Sequence, residues 1–252
     1  MRIALGAVAA VAMGALGAVT SGQTFTASGP TLTVGGGTLS AEVTFVVSNL
    51  DLVVTLSNTS LSDPANANDI LTAFFFTLDG DLKLTPVSAE VPMGSSVVGH
   101  RLPLGFTGDV GSQWAYRNDL VGAPNGANEG ISSETLKWFG TKNLLSSQKI
   151  KGFGSLGSIA FGLTTVDDSA INDQGSLKNQ GLIQNSVVFT FSGLPEDFVL
   201  SDISNVTFQY GTSLKTQAEE LMGQNVPEPS TIGLVVVGLL GGLAVTRRRL
   251  TR

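Results

Sequence analysis

Pro227-Glu228-Pro229, bordered by Val226 and Ser230, is the segment of this chain best suited to chemistry, and the chemistry is that of a substrate. The two prolines cannot continue a helix and push the residues before them toward extended backbone, the form a peptidase grips. An apolar run follows from Ile232 to Val245, then a basic end of Arg247, Arg248, Arg249 and Arg252. As a helix, those 14 residues would span about 21 Å, against a hydrocarbon core of about 30 Å. Ser230, Thr231 and Thr246 bring the span only to the lower edge of the usual range. The run has no polar face, which sets aside an amphipathic surface or core helix. The arginines hold their flank on the cytoplasmic side. A short, halted anchor beside an extended motif is what a sorting transpeptidase needs. An ordinary membrane anchor is the competing reading, but it does not require Pro-Glu-Pro at its border.

Catalytic candidates are few. His100 is the only histidine, so a Ser-His-Asp relay would have to use it, with Asp109 or Asp119 orienting the ring. No Gly-x-Ser-x-Gly elbow occurs; around Ser155, Phe153 stands where the first glycine is needed. One histidine and no cysteine also leave no zinc set of the usual kind. Gly152-Phe153-Gly154-Ser155-Leu156-Gly157 has dinucleotide-loop spacing. It follows a polar segment and precedes a strand-like Ile159 to Thr165, so no helix N-terminus meets a phosphate there. Asp79-Gly80-Asp81 and Asp167-Asp168 with Asn172-Asp173 offer oxygen ligands for Ca²⁺ without EF-hand spacing. The same residues favour turns, and Asp79-Gly80 between two strands is itself a hairpin signal. Trp114, Tyr116 and Trp138 are the candidates for stacking on sugar rings, because both tryptophans lie in polar, Gly-rich stretches. The alternative is that they anchor long loops to the core. A polysaccharide-binding module is thus the second reading of the body, and a secreted hydrolase the third.

The N-terminal end agrees with export. Met1-Arg2 precedes an uncharged run from Ile3 to Val19 and then Thr20-Ser21-Gly22-Gln23. A basic start, an apolar core and a small-residue exit describe a secretory signal peptide over residues 1–22, cut between Ala18 and Gln23 by signal peptidase. Five of the 14 Lys and Arg (Arg2, Arg247, Arg248, Arg249, Arg252) lie in the two ends, against only Glu228 of the 20 acids. The body is therefore near −10, more acidic than the formal −6 of the chain. Nucleic acid is excluded as a partner, since phosphate binding needs clustered Lys and Arg. Without cysteine an exported fold has no disulfide staple and must rest on burial.

Between the ends, the periodicity is that of strands. Leu39, Ala41, Val43, Phe45 and Val47 alternate with mostly polar residues. Ser48-Asn49-Leu50-Asp51 reads as a turn and Leu52 to Leu56 as the hairpin partner. Ala73 to Leu78 reads as a strand buried on both faces, Lys83 to Ala89 as a short strand, and Ser186 to Phe191 and Ile203 to Tyr210 as two more. Thr31 to Val34 is expected as the first strand, and residues 92–185 as short strands carrying long loops. The expectation is an all-β single domain over 23–212, an antiparallel β-sandwich or jelly-roll-like fold. A polar linker over 213–225 follows, with one helical turn at Ala218 to Met222, and then the sorting segment 226–252.

The order of motif, hydrophobic helix and arginines resembles the PEP-CTERM sorting signal of bacterial proteins handled by exosortases. Leu52 to Thr59, Trp114 to Arg117, Gly130 to Ser133 and Phe208 to Thr212 are similar to segments of exosortase-dependent surface proteins. The resemblance implies a membrane enzyme with a Cys nucleophile that recognises Pro227-Glu228-Pro229 and removes the tail. It also implies delivery of a non-enzymatic body to the cell surface or the extracellular polysaccharide matrix of a Gram-negative envelope.

Overall fold

The computed structural model describes residues 22–31, 37–80, 82–99, 102–147, 150, 159–168, 177, 180–213 and 220–226. They form two β-sheets packed face to face. The first sheet contains β1 (Gly22–Thr31), β2 (Thr38–Ser48), β3 (Asp51–Asn58), β5 (Thr85–Glu90), β11 (Ser186–Ser192) and β14 (Gln224–Val226), in the order β14-β1-β2-β3-β11-β5. The second runs β13-β12-β4-β9-β10-β6, where β4 is Leu71–Leu78, β6 Ser96–Val98, β9 Leu163–Thr164, β10 Leu182–Gln184, β12 Ile203–Tyr210 and β13 Glu220–Met222. β8 (Glu129–Ser132) pairs with β4, and β7 (Ala115–Arg117) pairs with β8. All pairs are antiparallel except β9 with β10. The expected all-β sandwich is what forms.

Alternation decides which side of each strand is buried. In β2, Leu39, Ala41, Val43 and Phe45 point inward, and in β3 Leu52, Val54 and Leu56 do the same. Facing them are Phe74 and Phe76 of β4, Phe208 and Tyr210 of β12, and Phe189 and Phe191 of β11 from the first sheet itself. Phe45 meets Phe76 at a ring separation of 5.4 Å, and Phe74 lies 6.2 Å from Phe189. Edge-on and tilted contacts of this kind add to what area burial alone supplies.

β4 is buried on both faces because the excursion between residues 111 and 145 folds over its outer side. Phe74 and Phe76 enter the main core, while Ala73 and Phe75 enter a second one with Ala115, Leu120, Leu136, Trp138 and Phe139. Gly130 makes this close approach possible. A Cβ there would stand 2.9 Å from a ring carbon of Phe75 and 3.0 Å from one of Phe139.

Polar ties join the sheets at one end. The Tyr210 hydroxyl donates to the Ser40 carbonyl at 2.8 Å, and Asn58 Nδ2 donates to the Leu163 carbonyl at 3.0 Å. Burial pushes the Tyr210 hydroxyl well above its ordinary range, so it stays a neutral donor.

The β2–β3 hairpin closes on Asn49 and Leu50 at φ 51° and 67°, with Ser48 paired to Asp51. This is the two-residue turn whose twist matches the strands, and it demands left-handed backbone at both positions. Asn tolerates that conformation; Leu does not. Leu50→Gly is expected to stabilise the fold by about 0.5–1 kcal/mol, the left-handed penalty less the entropy glycine adds to the unfolded chain. Thermal unfolding should show a rise of about 2–4 °C, and a fall would mean that the exposed Leu50 side chain contributes packing.

Two expectations are corrected. The first strand is not Thr31 to Val34; it begins at Gly22 and ends at Thr31, with Phe25 and Ala27 as its inward residues. The stretch 213–225 is not a plain polar linker. Its last residues form β13 and β14, so Glu220–Met222 are extended and not a helical turn.

Candidate functional site

The segment leading into the motif is a strand that changes sheets. β13 pairs with β12, with Leu221 opposite Phe208 and Met222 opposite Thr207. One residue later, β14 pairs with β1 on the other sheet, with Gln224 opposite Thr26, Asn225 opposite Phe25 and Val226 opposite Thr24. Gly223 is the pivot. Its N–H donates to the Val206 carbonyl at 2.8 Å, and a Cβ at this position would lie 3.0 Å from Val206 Cβ and 3.3 Å from Phe25 Cβ. Only glycine passes between strands of the two sheets at that separation. Leu221 is buried beside β1, where a Cβ on Gly29 would overlap its side chain. The strand therefore clasps one side of the sandwich.

The signal for this clasp was short. Leu221 buried and Met222 exposed give a single period of alternation before a glycine. Its neighbours Glu220, Gln224 and Asn225 read as tether by composition. β1 was hidden in a similar way, because Thr24, Thr26 and Ser28 alternate with only Phe25 and Ala27.

Because β1 and β14 are antiparallel, the chain enters β1 and leaves β14 at the same end of one sheet edge. Directly opposed residues in such a pair have Cα atoms about 4.5–5.5 Å apart. Val226 is the last described residue of the motif region; Pro227, Glu228, Pro229, Ser230 and the four arginines lie outside the described residues, as does the apolar run. Among the described residues no helix is long and apolar enough to cross a membrane.

Residues 225–249 match the family described as the PEP-CTERM protein-sorting motif. The chain carries a PEP-CTERM sorting signal. The signal implies exosortase-dependent sorting to the cell surface. No curated protein and no solved structure matches the chain. The family match begins inside β14, so the sorting signal and the folded body overlap by two residues, Asn225 and Val226.

The three aromatics proposed for sugar stacking are core residues. Trp114, Tyr116 and Trp138 are 0%, 6% and 8% exposed. Trp114 packs edge-on against Phe189 at 5.1 Å, and Tyr116 lies 4.8 Å from Phe191. Trp138 meets Phe75 at 5.6 Å and donates its ring N–H to the Val121 carbonyl at 3.1 Å. They pin the excursion to both cores, the alternative the sequence left open, and no platform at these residues faces solvent. A carbohydrate contact through them is withdrawn.

Among the other candidates, His100 and residues 152–157 lie outside the described residues. Asp119, considered as an orienting acid, is exposed and sits 4.0 Å from Lys83. Asp109 accepts from the Gly111 N–H at 2.8 Å, which closes a turn. Asp168 is buried and accepts from the Thr164 hydroxyl at 2.5 Å, while Asp81, Asn172 and Asp173 are outside the described residues. Among the described residues no three His, Cys, Asp or Glu side chains converge as a metal set.

One buried ionisable pair escaped the sequence reading. The Tyr116 hydroxyl donates to Glu129 Oε2 at 2.5 Å, with both side chains buried. Removal from water pushes the Glu129 carboxyl up to about 7, against the opposing effect of the tyrosine hydrogen bond. Nothing in Asn128-Glu129-Gly130 marks that glutamate as interior.

Proposed function

We propose that the chain is an exported, non-enzymatic surface or extracellular-matrix protein whose β-sandwich is carried out of the cell behind a signal peptide. An exosortase then releases it from a transient membrane anchor. The observation that carries this reading is the sorting motif at residues 225–249, continuous with the last strand of the body. Support for an architectural role comes from how the body spends its large aromatics. Trp114, Tyr116 and Trp138 all go to holding the excursion on the sandwich.

In this scheme signal peptidase acts between Ala18 and Gln23, just before or within the start of β1. The run Ile232 to Val245 holds the precursor in the membrane with the arginines on the cytoplasmic side. The deciding measurement is mass spectrometry of both termini of the protein isolated from the organism that makes it. A start near Gln23 and loss of the residues from about Pro227 onward are expected. An intact Arg252 in a membrane fraction would instead make the apolar run a permanent anchor and overturn the sorting reading.

A further inference from the structure

We infer that β14 is kept in the mature protein and confines cleavage to the C-terminal side of Val226, so that the new C-terminus leaves the body beside the new N-terminus. The inference rests on the exosortase reading above and adds to it where the cut falls and why.

A peptidase must draw several residues of extended backbone into its cleft, free of other hydrogen-bonding partners. Residues 224–226 are committed to β1, and residues 220–222 to β12. Opening them means lifting Leu221 out of the core and withdrawing Gly223 from between Val206 and Phe25. A cut upstream of Glu220 would also strip the cover from β1 and β12 and leave both as bare sheet edges, a hazard for a protein concentrated at a surface. On the other side of Val226 the situation reverses. Pro227 and Pro229 have no N–H to give to a ladder, so the sequence itself stops the pairing with β1 at Thr24. The first residues free to enter an enzyme are thus the motif.

The reach is short as well. Five residues, 227–231, separate the clasp from the apolar run, and fully extended they cover at most about 17–18 Å. The clasped edge is therefore held close to the membrane surface while the precursor is anchored. The covalent step balances simply. A thiolate on the enzyme attacks the carbonyl carbon of a peptide bond beyond Val226, and the amine of the tail leaves with a proton. The acyl group then passes to water or to an amine of the envelope.

The test uses the full-length chain in its own host. The chain has no cysteine, so Thr24→Cys with Val226→Cys introduces its only pair, at positions directly opposed across β1 and β14. Their Cα spacing falls within the range a disulfide spans. The expected mature protein has lost its tail yet carries a disulfide-linked peptide pair containing both positions. Its C-terminus should coincide with that of the parent. A mature protein ending upstream of Val226, and so unable to form the link, would overturn the inference while leaving exosortase sorting in place. Retention of the whole tail in the parent would overturn the sorting reading and this inference together. In a second variant, Gly223→Val should force the clasp off both sheets. Its mature C-termini are expected to spread upstream of Val226 across several residues, with the far-ultraviolet circular dichroism of a β-sandwich retained. A single unchanged end point in that variant would show that the clasp does not set the position of the cut.

Discussion

Phe74→Ala is expected to cost about 3–5 kcal/mol of global stability, a large part of the 5–15 kcal/mol typical of a domain. Phe74 is fully buried on the central strand of the second sheet, within 6.3 Å of Phe45, 5.7 Å of Phe76 and 6.2 Å of Phe189. Two of those rings belong to the opposite sheet, so truncation leaves a cavity in the seam between sheets. No disulfide exists to hold the halves together. The neighbouring change, Phe75→Ala, removes the same side chain from the same strand but from its other face. There the lost partners are Trp138 and Phe139 of the excursion. Its cost should be concentrated in that layer. Hydrogen exchange is expected to accelerate over residues 115–139 well before the β2–β3 hairpin, whereas Phe74→Ala should accelerate both together. Urea unfolding combined with hydrogen exchange separates the outcomes. Equal acceleration everywhere in both variants would show that the two cores unfold as one unit.

That contrast also marks how far the sequence could be read. The strands whose burial is decided by their own period were legible: Leu39 to Val47, Leu52 to Leu56, Ser186 to Phe191 and Ile203 to Tyr210 all form where alternation and β-branched content place them. The double-sided burial of Ala73 to Leu78 was legible too, as an unbroken apolar run. What covers its outer face was not. The covering excursion is held by scattered residues such as Leu120, Leu136 and Trp138, whose separation along the chain has no period. For the same reason Trp114 and Trp138 read as exposed. Polar, glycine-rich neighbours identify a loop, but they carry no information about what the loop lies on. The clasp at 220–226 depends on strands nearly 200 residues away, so its few residues look like tether until β1 and β12 are in place. The sorting signal is the opposite case. It is read by an enzyme as linear sequence, and it was therefore visible without any fold at all.

Glu129 supplies the largest expected response to pH. Its carboxyl is held at about 7 in the folded protein, above the ordinary 4.5, chiefly because burial disfavours the charge; Asp119 raises it further, and the Tyr116 hydroxyl opposes both. A raised folded-state value means that the native protein binds the proton more tightly than the unfolded chain does. The stabilisation is therefore complete below about pH 4.5, declines as pH rises through about 7, and is gone above it. The shift corresponds to about 2–3 kcal/mol lost between pH 5 and pH 8, once the partial solvation of the site is allowed for. Glu129→Gln keeps an acceptor for the Tyr116 hydroxyl and cannot ionise. It is expected to match the parent near pH 5 and to be more stable than the parent at pH 8 by about 2 kcal/mol. Urea unfolding of the processed protein and its variant at half-unit pH steps measures the difference directly, because the other carboxylates are common to both. A constant difference across that range would mean that Glu129 is already ionised at pH 5 in the folded state. In that event the tyrosine hydrogen bond, and not burial, would govern its proton, and the Tyr116–Glu129 pair would be a charge-assisted tie between β7 and β8 at every pH the protein meets outside the cell.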